Sequence, residues 1–407
     1  MVSLWPRSQR KVPTFGNEIT QLDFVRSLRE PCILSKDFTT NFKADIFLSD
    51  YKNEHGISPV DYEKFLNVFD PNHEVSVEQI DPQSGQKVYR RMSLLDFVYL
   101  LQEGGDSQVY LKDWHAQKEF SLPSNIYHDH LPYFMKMDWI NNEKWTESDE
   151  NPMKGDYRFI YFGAPGSRTL LHEDVFRSFS WSYNVTGFKH WLILPMHRKG
   201  EFLQRYPEVD DFSTIPNVIE DFELIEAIQE PGEIMVMPPG YYHQVLNLTE
   251  CLSINHNTIN AFNIYAVYEE LCERLKAVLK ELDDQRELRT EDDFAETVEL
   301  VLNSDYRITK RTMFQLAQFI QSDRSQKLKN DQIIDCDPPS DIEATNFWTF
   351  GDIRVVESIL NCQCDCNDAS RHLLSPNPCP TFIKQMNAID YFFSQFIIRK
   401  IADSFEQ

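Results

Sequence analysis

Between residues 156 and 257 the chain is cut into short apolar or alternating runs, each closed by a turn signal. Arg158-Phe159-Ile160-Tyr161-Phe162 is one run, and residues 169–174 form another. Residues 180–185, Thr186-Gly187 and residues 189–194, ended by Pro195, read together as a hairpin. Residues 234–237 stop at Pro238-Pro239-Gly240. Residues 243–248 and 251–255 read as a second hairpin about Thr249-Glu250. Many short strands at close spacing predict a sandwich or small barrel.

The flanks differ in texture. Residues 31–34 read as a short strand, and residues 61–69 and 93–102 as helices. The second helix has Ser93 at its N-cap and Leu94, Phe97, Val98 and Leu101 at helical spacing. Gly104-Gly105 ends it, and residues 108–111 resume as strand. After Asn260 the strands stop. Residues 263–282 carry an apolar stripe of Ile264, Val267, Tyr268, Leu271, Leu275 and Leu279. Further helices read near 294–303, 312–320, 348–360 and 382–402, with a linker at 325–344. The expected fold is mixed α+β: an N-terminal mixed region (1–129), a β-barrel core (130–272) and a C-terminal helical region (273–407). The last region either covers the barrel or forms a homodimer, so the oligomeric state stays open.

Leu171-His172-Glu173-Asp174 carries the chemistry. On a strand, residues i and i+2 share a face, so His172 and Asp174 would enter the barrel together. A third ligand is expected near the start of a later strand. His243 fits, since it follows the Pro238-Pro239-Gly240 turn and opens an apolar run. Two imidazoles and one carboxylate make a facial triad, which leaves positions on iron(II) for a 2-oxoacid and dioxygen. In a chain with 11 His a His-x-Asp can arise by chance, but here it is the only His-x-Asp/Glu. His128-Asp129-His130 lies in a polar stretch and reads as a solvated loop. His190, His197 and His256 read as structural or exposed. Lys189 shares a strand face with Trp191 and Ile193. If that face is buried, the ammonium needs an anion, such as the far carboxylate of 2-oxoglutarate. If the faces are reversed, it is solvated.

Residues 156–174 resemble the first metal-binding strand of JmjC hydroxylases, and residues 180–195 the segment that follows it. Pro238-Pro239-Gly240-Tyr241-Tyr242-His243 resembles the segment bearing the last histidine, and Tyr110-Leu111-Lys112-Asp113-Trp114-His115 the earlier tyrosine strand. Together these cover roughly residues 31–260. The resemblance implies a double-stranded β-helix of the cupin or jelly-roll type. It implies His172, Asp174 and His243 as catalytic iron(II) ligands, and Tyr110, Thr169, Lys189 and Asn257 as 2-oxoglutarate contacts, with dioxygen as co-substrate. Ser182 and Asn255 are weaker candidates. The stretches at 110–115 and 176–182 look closest to the fourth type of JmjC domain-containing protein, a lysyl hydroxylase subgroup. That implies lysyl C4 hydroxylation of the eukaryotic translation termination (release) factor. An N-methyl-lysine demethylase uses the same triad, but the chain shows no zinc-finger or chromatin-reader pattern. A catalytically silent JmjC-like binding protein would not need all three ligands and Lys189.

A net charge of -24 without a Lys/Arg cluster argues against direct nucleic-acid binding. That charge would attract a basic peptide or domain, or it serves solubility alone; a protein substrate is what the resemblance implies. Eight irregularly spaced cysteines are not a disulfide framework, so reduced thiols in the cytoplasm, or also the nucleus, are expected. Cys362, Cys364 and Cys366, with His372 and Cys379 beyond, read as free thiols rather than a zinc site. The first 13 residues lack the apolar core of a secretory signal, and no apolar run approaches the ~20 residues of a membrane span. Trp181, Phe188 and Tyr241 are candidate pocket walls, and each reads equally well as core.

Overall fold

The computed structural model describes residues 12–16, 29–80, 87–104 and 109–331, apart from 132, 150, 152 and 154, together with 352, 355–357 and 359. The cysteine cluster at 362–366, His372, Cys379 and the expected helix at 382–402 lie outside the described residues. The chain divides into two compact units. One comprises Met1–Pro132, Tyr157–Val175 and Phe179–Asn257; the other comprises Tyr133–Asp156, Phe176–Ser178 and Thr258–Gln407.

The first unit is built on thirteen described strands: β1 (Thr14–Phe15), β2 (Cys32–Leu34), β3 (Glu74–Ile80), β4 (Lys87–Ser93), β5 (Tyr110–Trp114), β6 (Arg158–Gly163), β7 (Arg168–His172), β8 (Phe179–Thr186), β9 (Lys189–Ile193), β10 (Ile225–Gln229), β11 (Ile234–Met237), β12 (His243–Asn247) and β13 (Cys251–Thr258). Nine form one sheet, in the order β1-β2-β11-β8-β13-β6-β5-β3-β4, and four form another, β10-β9-β12-β7. Ile33 and Met235 from the large sheet pack with Trp191, Ile193, Ala227 and Val245 from the small one, so an apolar core lies between the sheets. Burying the Ile, Met and Val side chains among these contributes roughly 1.5–3 kcal/mol each. Two N-terminal helices brace the large sheet. Asp61 caps Tyr62–Val68 by accepting from the Lys64 backbone N–H. Ser93 caps Leu94–Glu103 through the Asp96 N–H, and Gly104 ends that helix at φ 61°. Phe65 and Phe97 both meet Phe162 of β6 edge-on, with ring centroids 5.2 and 5.6 Å apart.

Neither expected hairpin exists. β8 lies in the large sheet and β9 in the small one, and the same holds for β13 and β12. Both edges of β8 are taken, by β11 and β13, and both edges of β9 by β10 and β12. The chain therefore has to cross between sheets at each turn. The two crossings hold each other. Leu248 N–H donates to the Phe188 carbonyl at 2.8 Å, and Phe188 N–H donates to Thr249 Oγ1 at 2.9 Å. Asn184 Nδ2 closes the first corner on the Gly187 carbonyl, and the Tyr62 hydroxyl donates to the Glu250 carboxylate.

The second unit is helical. Ile264–Glu281 buries Ile264, Val267, Tyr268, Leu271 and Leu275; Val278 rather than Leu279 completes the buried stripe. It is followed by Glu291–Tyr306 and Lys310–Asp331. The last helix continues past the point where a linker was expected. No Gly or Pro interrupts it. Near its end the buried Arg324 guanidinium holds Asp323 at 2.6 Å and Asp352 at 2.8 Å. No described helix is long and apolar enough to cross a membrane.

Gly187 sits at φ +90°, and a Cβ there would lie 2.2 Å from the Glu250 carbonyl oxygen. Gly187→Ala is expected to cost about 3 kcal/mol or more in urea unfolding. Gly200, exposed on the helix Met196–Arg205 with nothing near its missing Cβ, gives the opposite sign. Gly200→Ala is expected to stabilise by about 0.5–1 kcal/mol.

Candidate active site

The register of β12 against β7 sets His243 opposite His172, with ring centroids 4.2 Å apart. Asp174 lies two residues beyond the end of β7 rather than within a strand. One donor atom from each of His172, Asp174 and His243 lies within 4.8 Å of the others, and no other such group of three occurs among the described residues. Both rings are oriented from behind. His172 Nδ1 is 2.8 Å from the Leu170 carbonyl, and His243 Nδ1 is 3.1 Å from the Tyr241 carbonyl. A carbonyl only accepts, so Nδ1 carries the proton in each ring and Nε2 keeps its lone pair for a metal. Burial, and then the neighbouring His172, push the His243 pKa down to about 4, against the pull of Asp174. The ring is therefore neutral near pH 7, as a ligand must be. Ser180 Oγ donates to Asp174 Oδ2 at 2.6 Å, and Asn257 Nδ2 donates to Oδ1 at 3.3 Å. This donor set fits a divalent ion that accepts nitrogen and oxygen, iron(II) among them.

A lysine behind the triad ties its two halves together. Lys199 Nζ, on the helix Met196–Arg205, lies 2.9 Å from Glu173 Oε2 and 2.9 Å from the Gly240 carbonyl. Glu173 separates the first two candidate ligands, and Gly240 ends the turn before the third. The Tyr242 ring covers the same ammonium at 4.8 Å. Lys199 and Glu173 are both mostly buried, so the pair is screened less than an exposed one.

A second polar pocket lies along the same small sheet. Lys189 is 2% exposed, so it faces the interior and not solvent. Burial lowers its pKa. Among the described residues no carboxylate pairs with it; its ammonium donates to Asn247 Oδ1 at 3.1 Å. Asn247 Nδ2 in turn donates to Ser167 Oγ at 2.9 Å. The Thr169 and Asn247 side chains both offer hydrogen bonds to the Tyr110 hydroxyl, whose pKa burial nevertheless raises. Gly163 forms the floor, and a Cβ there would lie 2.4–2.8 Å from Ser167, Tyr110 and Asn247. Thus Lys189, Tyr110 and Thr169 converge, while Asn257 sits at the Asp174 carboxylate instead.

Other residues fall where the sequence did not place them. Ser180, Asn247, Ser167 and Lys199 had no local signal beyond their neighbours' periodicity. Ser182 and Asn255 bond each other at 2.9 Å. Trp181 faces away from Ser180 and Ser182 and stacks on His256, so it is core and not a pocket wall. Tyr241 donates to the Arg29 carbonyl. His128-Asp129-His130 is a partly exposed 3-10 turn. On β6, half-buried Phe159 and Tyr161 share a face, and the Tyr161 hydroxyl donates to Asp113 Oδ1 at 2.5 Å. Asp113 has φ 55° at a register shift in β5, which re-aims its carboxylate.

Residues 159–258 match the family described as JmjC domain, hydroxylase. That stretch is thus similar to a JmjC domain. The matched stretch runs from β6 to β13 and contains His172, Asp174, His243, Thr169, Lys189, Asn247 and Asn257; Tyr110 lies ahead of it. The chain is 32% identical over 275 residues to the 2-oxoglutarate and iron-dependent oxygenase JMJD4 of Danio rerio, covering 63% of this chain and 62% of the relative. It is 30% identical over 287 residues to JMJD4 of Homo sapiens, with 65% of each chain covered. It is 38% identical over 200 residues to the arginine-specific demethylase JMJ20 of Arabidopsis thaliana, covering 45% of this chain and 43% of the relative. The chain thus spans less than two thirds of the length of each.

The Lys199 clamp would make metal affinity at His172, Asp174 and His243 depend on a residue outside that group. Lys199→Met is expected to weaken Mn(II) binding about tenfold, in the range for outer partners of metal ligands. Electron paramagnetic resonance of free Mn(II) during titration reads this directly, and an unchanged affinity would dismiss the clamp.

Proposed function

We propose that the protein is an iron(II)- and 2-oxoglutarate-dependent protein hydroxylase. The observation that carries this reading is a two-histidine, one-aspartate group on the same small sheet as a buried lysine with no anionic partner among the described residues. The names of the Danio rerio and Homo sapiens relatives agree with it. His172, Asp174 and His243 would hold the metal. Lys189, Tyr110 and Thr169 would hold the far carboxylate of 2-oxoglutarate. Iron(II), 2-oxoglutarate and dioxygen together supply an oxidant able to hydroxylate an unactivated C–H bond. The chain's own contribution is placement. Ser180 and Asn257 hold the Asp174 carboxylate in one orientation. The backbone carbonyls of Leu170 and Tyr241 hold the two imidazoles. The half-buried Phe159 and Tyr161 offer an aromatic wall to an incoming side chain.

For the substrate, we propose a lysyl side chain of the translation termination factor, hydroxylated at C4 in the cytoplasm. The support is the resemblance of residues 110–115 and 176–182 to the lysyl hydroxylase subgroup. A second reading, removal of an N-methyl group by the same hydroxylation chemistry, is favoured by the likeness to the Arabidopsis thaliana demethylase.

Mass spectrometry of the termination factor's lysine-bearing domain, after incubation with protein, iron(II), 2-oxoglutarate and oxygen, separates the two. A one-oxygen gain on lysine, absent with His172→Ala, is expected. Loss of methyl groups from methylated peptides, with no such gain, would favour the second reading. Lys189→Met is expected to raise the KM for 2-oxoglutarate at least tenfold, as about 1.4 kcal/mol of lost charge recognition implies.

A further inference from the structure

Lys189 and Asn247 face each other in register across β9 and β12. Both are buried, at 2% and 1% exposure. A buried ammonium usually has a carboxylate beside it, because an unpaired charge in the interior is costly. Here its protein acceptor is a neutral amide oxygen. The orientation of that amide is fixed by its other end. Ser167 Oγ donates its proton to the Ala164 carbonyl at 2.6 Å, so toward Asn247 it can only accept. The Asn247 nitrogen must then face Ser167, which leaves the oxygen facing Lys189. The backbone locks the residue as well: Asn247 N–H donates to the Ser167 carbonyl, and Gly166 N–H donates to the Asn247 carbonyl. Gly163 leaves no room for the side chain to turn elsewhere.

We infer that Asn247 determines co-substrate affinity by solvating the Lys189 ammonium without neutralising it, which reserves the charge for the far carboxylate of a dicarboxylate. Aspartate has nearly the same shape, and the Tyr110 hydroxyl can rotate to donate to it. It would complete a buried ion pair and occupy the ammonium permanently. Asn247 is thus a positioning residue whose neutrality matters. The inference rests on the oxygenase reading.

The test compares wild type, Asn247→Asp and Asn247→Ala, each loaded with Mn(II) without oxygen. Calorimetry gives the 2-oxoglutarate Kd, and unfolding of the ligand-free proteins gives Tm. Neutral solvation predicts opposite orders. Asn247→Asp binds 2-oxoglutarate at least tenfold more weakly, yet its Tm rises by about 2 °C or more. Asn247→Ala melts lower than wild type, yet loses less affinity than Asn247→Asp. A merely structural role predicts that affinity falls with Tm in both variants, and that result would overturn the inference. So would an Asn247→Asp protein that binds within twofold of wild type, or one that fails to fold. If the Mn(II)-loaded wild type binds no 2-oxoglutarate, the oxygenase reading itself falls and takes this role of Asn247 with it.

Discussion

Side chains two residues apart on a strand share a face, and β12 uses this along its whole length. At one end His243 meets His172 of β7; at the other Asn247 meets Lys189 of β9. His172 and Thr169 of β7 and Lys189 of β9 are all placed by pairing with that one strand. A shift of one residue would turn His243, Val245 and Asn247 outward together. Trp191 guards against this. It stacks on His243, with centroids 5.6 Å apart, and its indole N–H donates to Gln229 of β10. The apolar core and the polar pocket therefore share one register.

The small sheet also carries an electrostatic imbalance. Lys189 is buried against the Asn247 amide, with the cost of desolvation only partly offset by that one hydrogen bond. By contrast, Lys199 at the other end has its carboxylate, Glu173, and a carbonyl. One lysine is satisfied and holds backbone segments together. The other is left wanting a partner.

The two lysines also show how far the sequence could be read. The strand pattern picked out His172 and Asp174, although Asp174 lies past the end of β7 and reaches the group from the segment that follows; His243 was legible because a proline-glycine turn announces a strand start. Lys189 was ambiguous, since alternation defines two faces without saying which is inside. The crossings at Thr186-Gly187 and Thr249-Glu250 looked like hairpins because strand-turn-strand is a local pattern. Whether the second strand returns beside the first depends on edges already occupied by β11, β13 and β10, which lie far away in sequence. Ser180, Lys199 and Asn247 were hidden for the same reason. A serine, a helical lysine and an asparagine at a strand end gain meaning only from what the fold sets opposite them. The mixed α+β class was open to periodicity; in the described helical flank Val278 replaces Leu279 in the buried stripe, and the helix Lys310–Asp331 runs on into the expected linker.

His243 and Asn247 are four residues apart on β12, about 13 Å of strand at the usual rise. One lies at the two-histidine, one-aspartate group and the other at the Lys189 ammonium, on a strand hydrogen-bonded along both edges. The strand fixes the separation of those two groups. Under the proposed function, that separation would set the length of diacid able to span them.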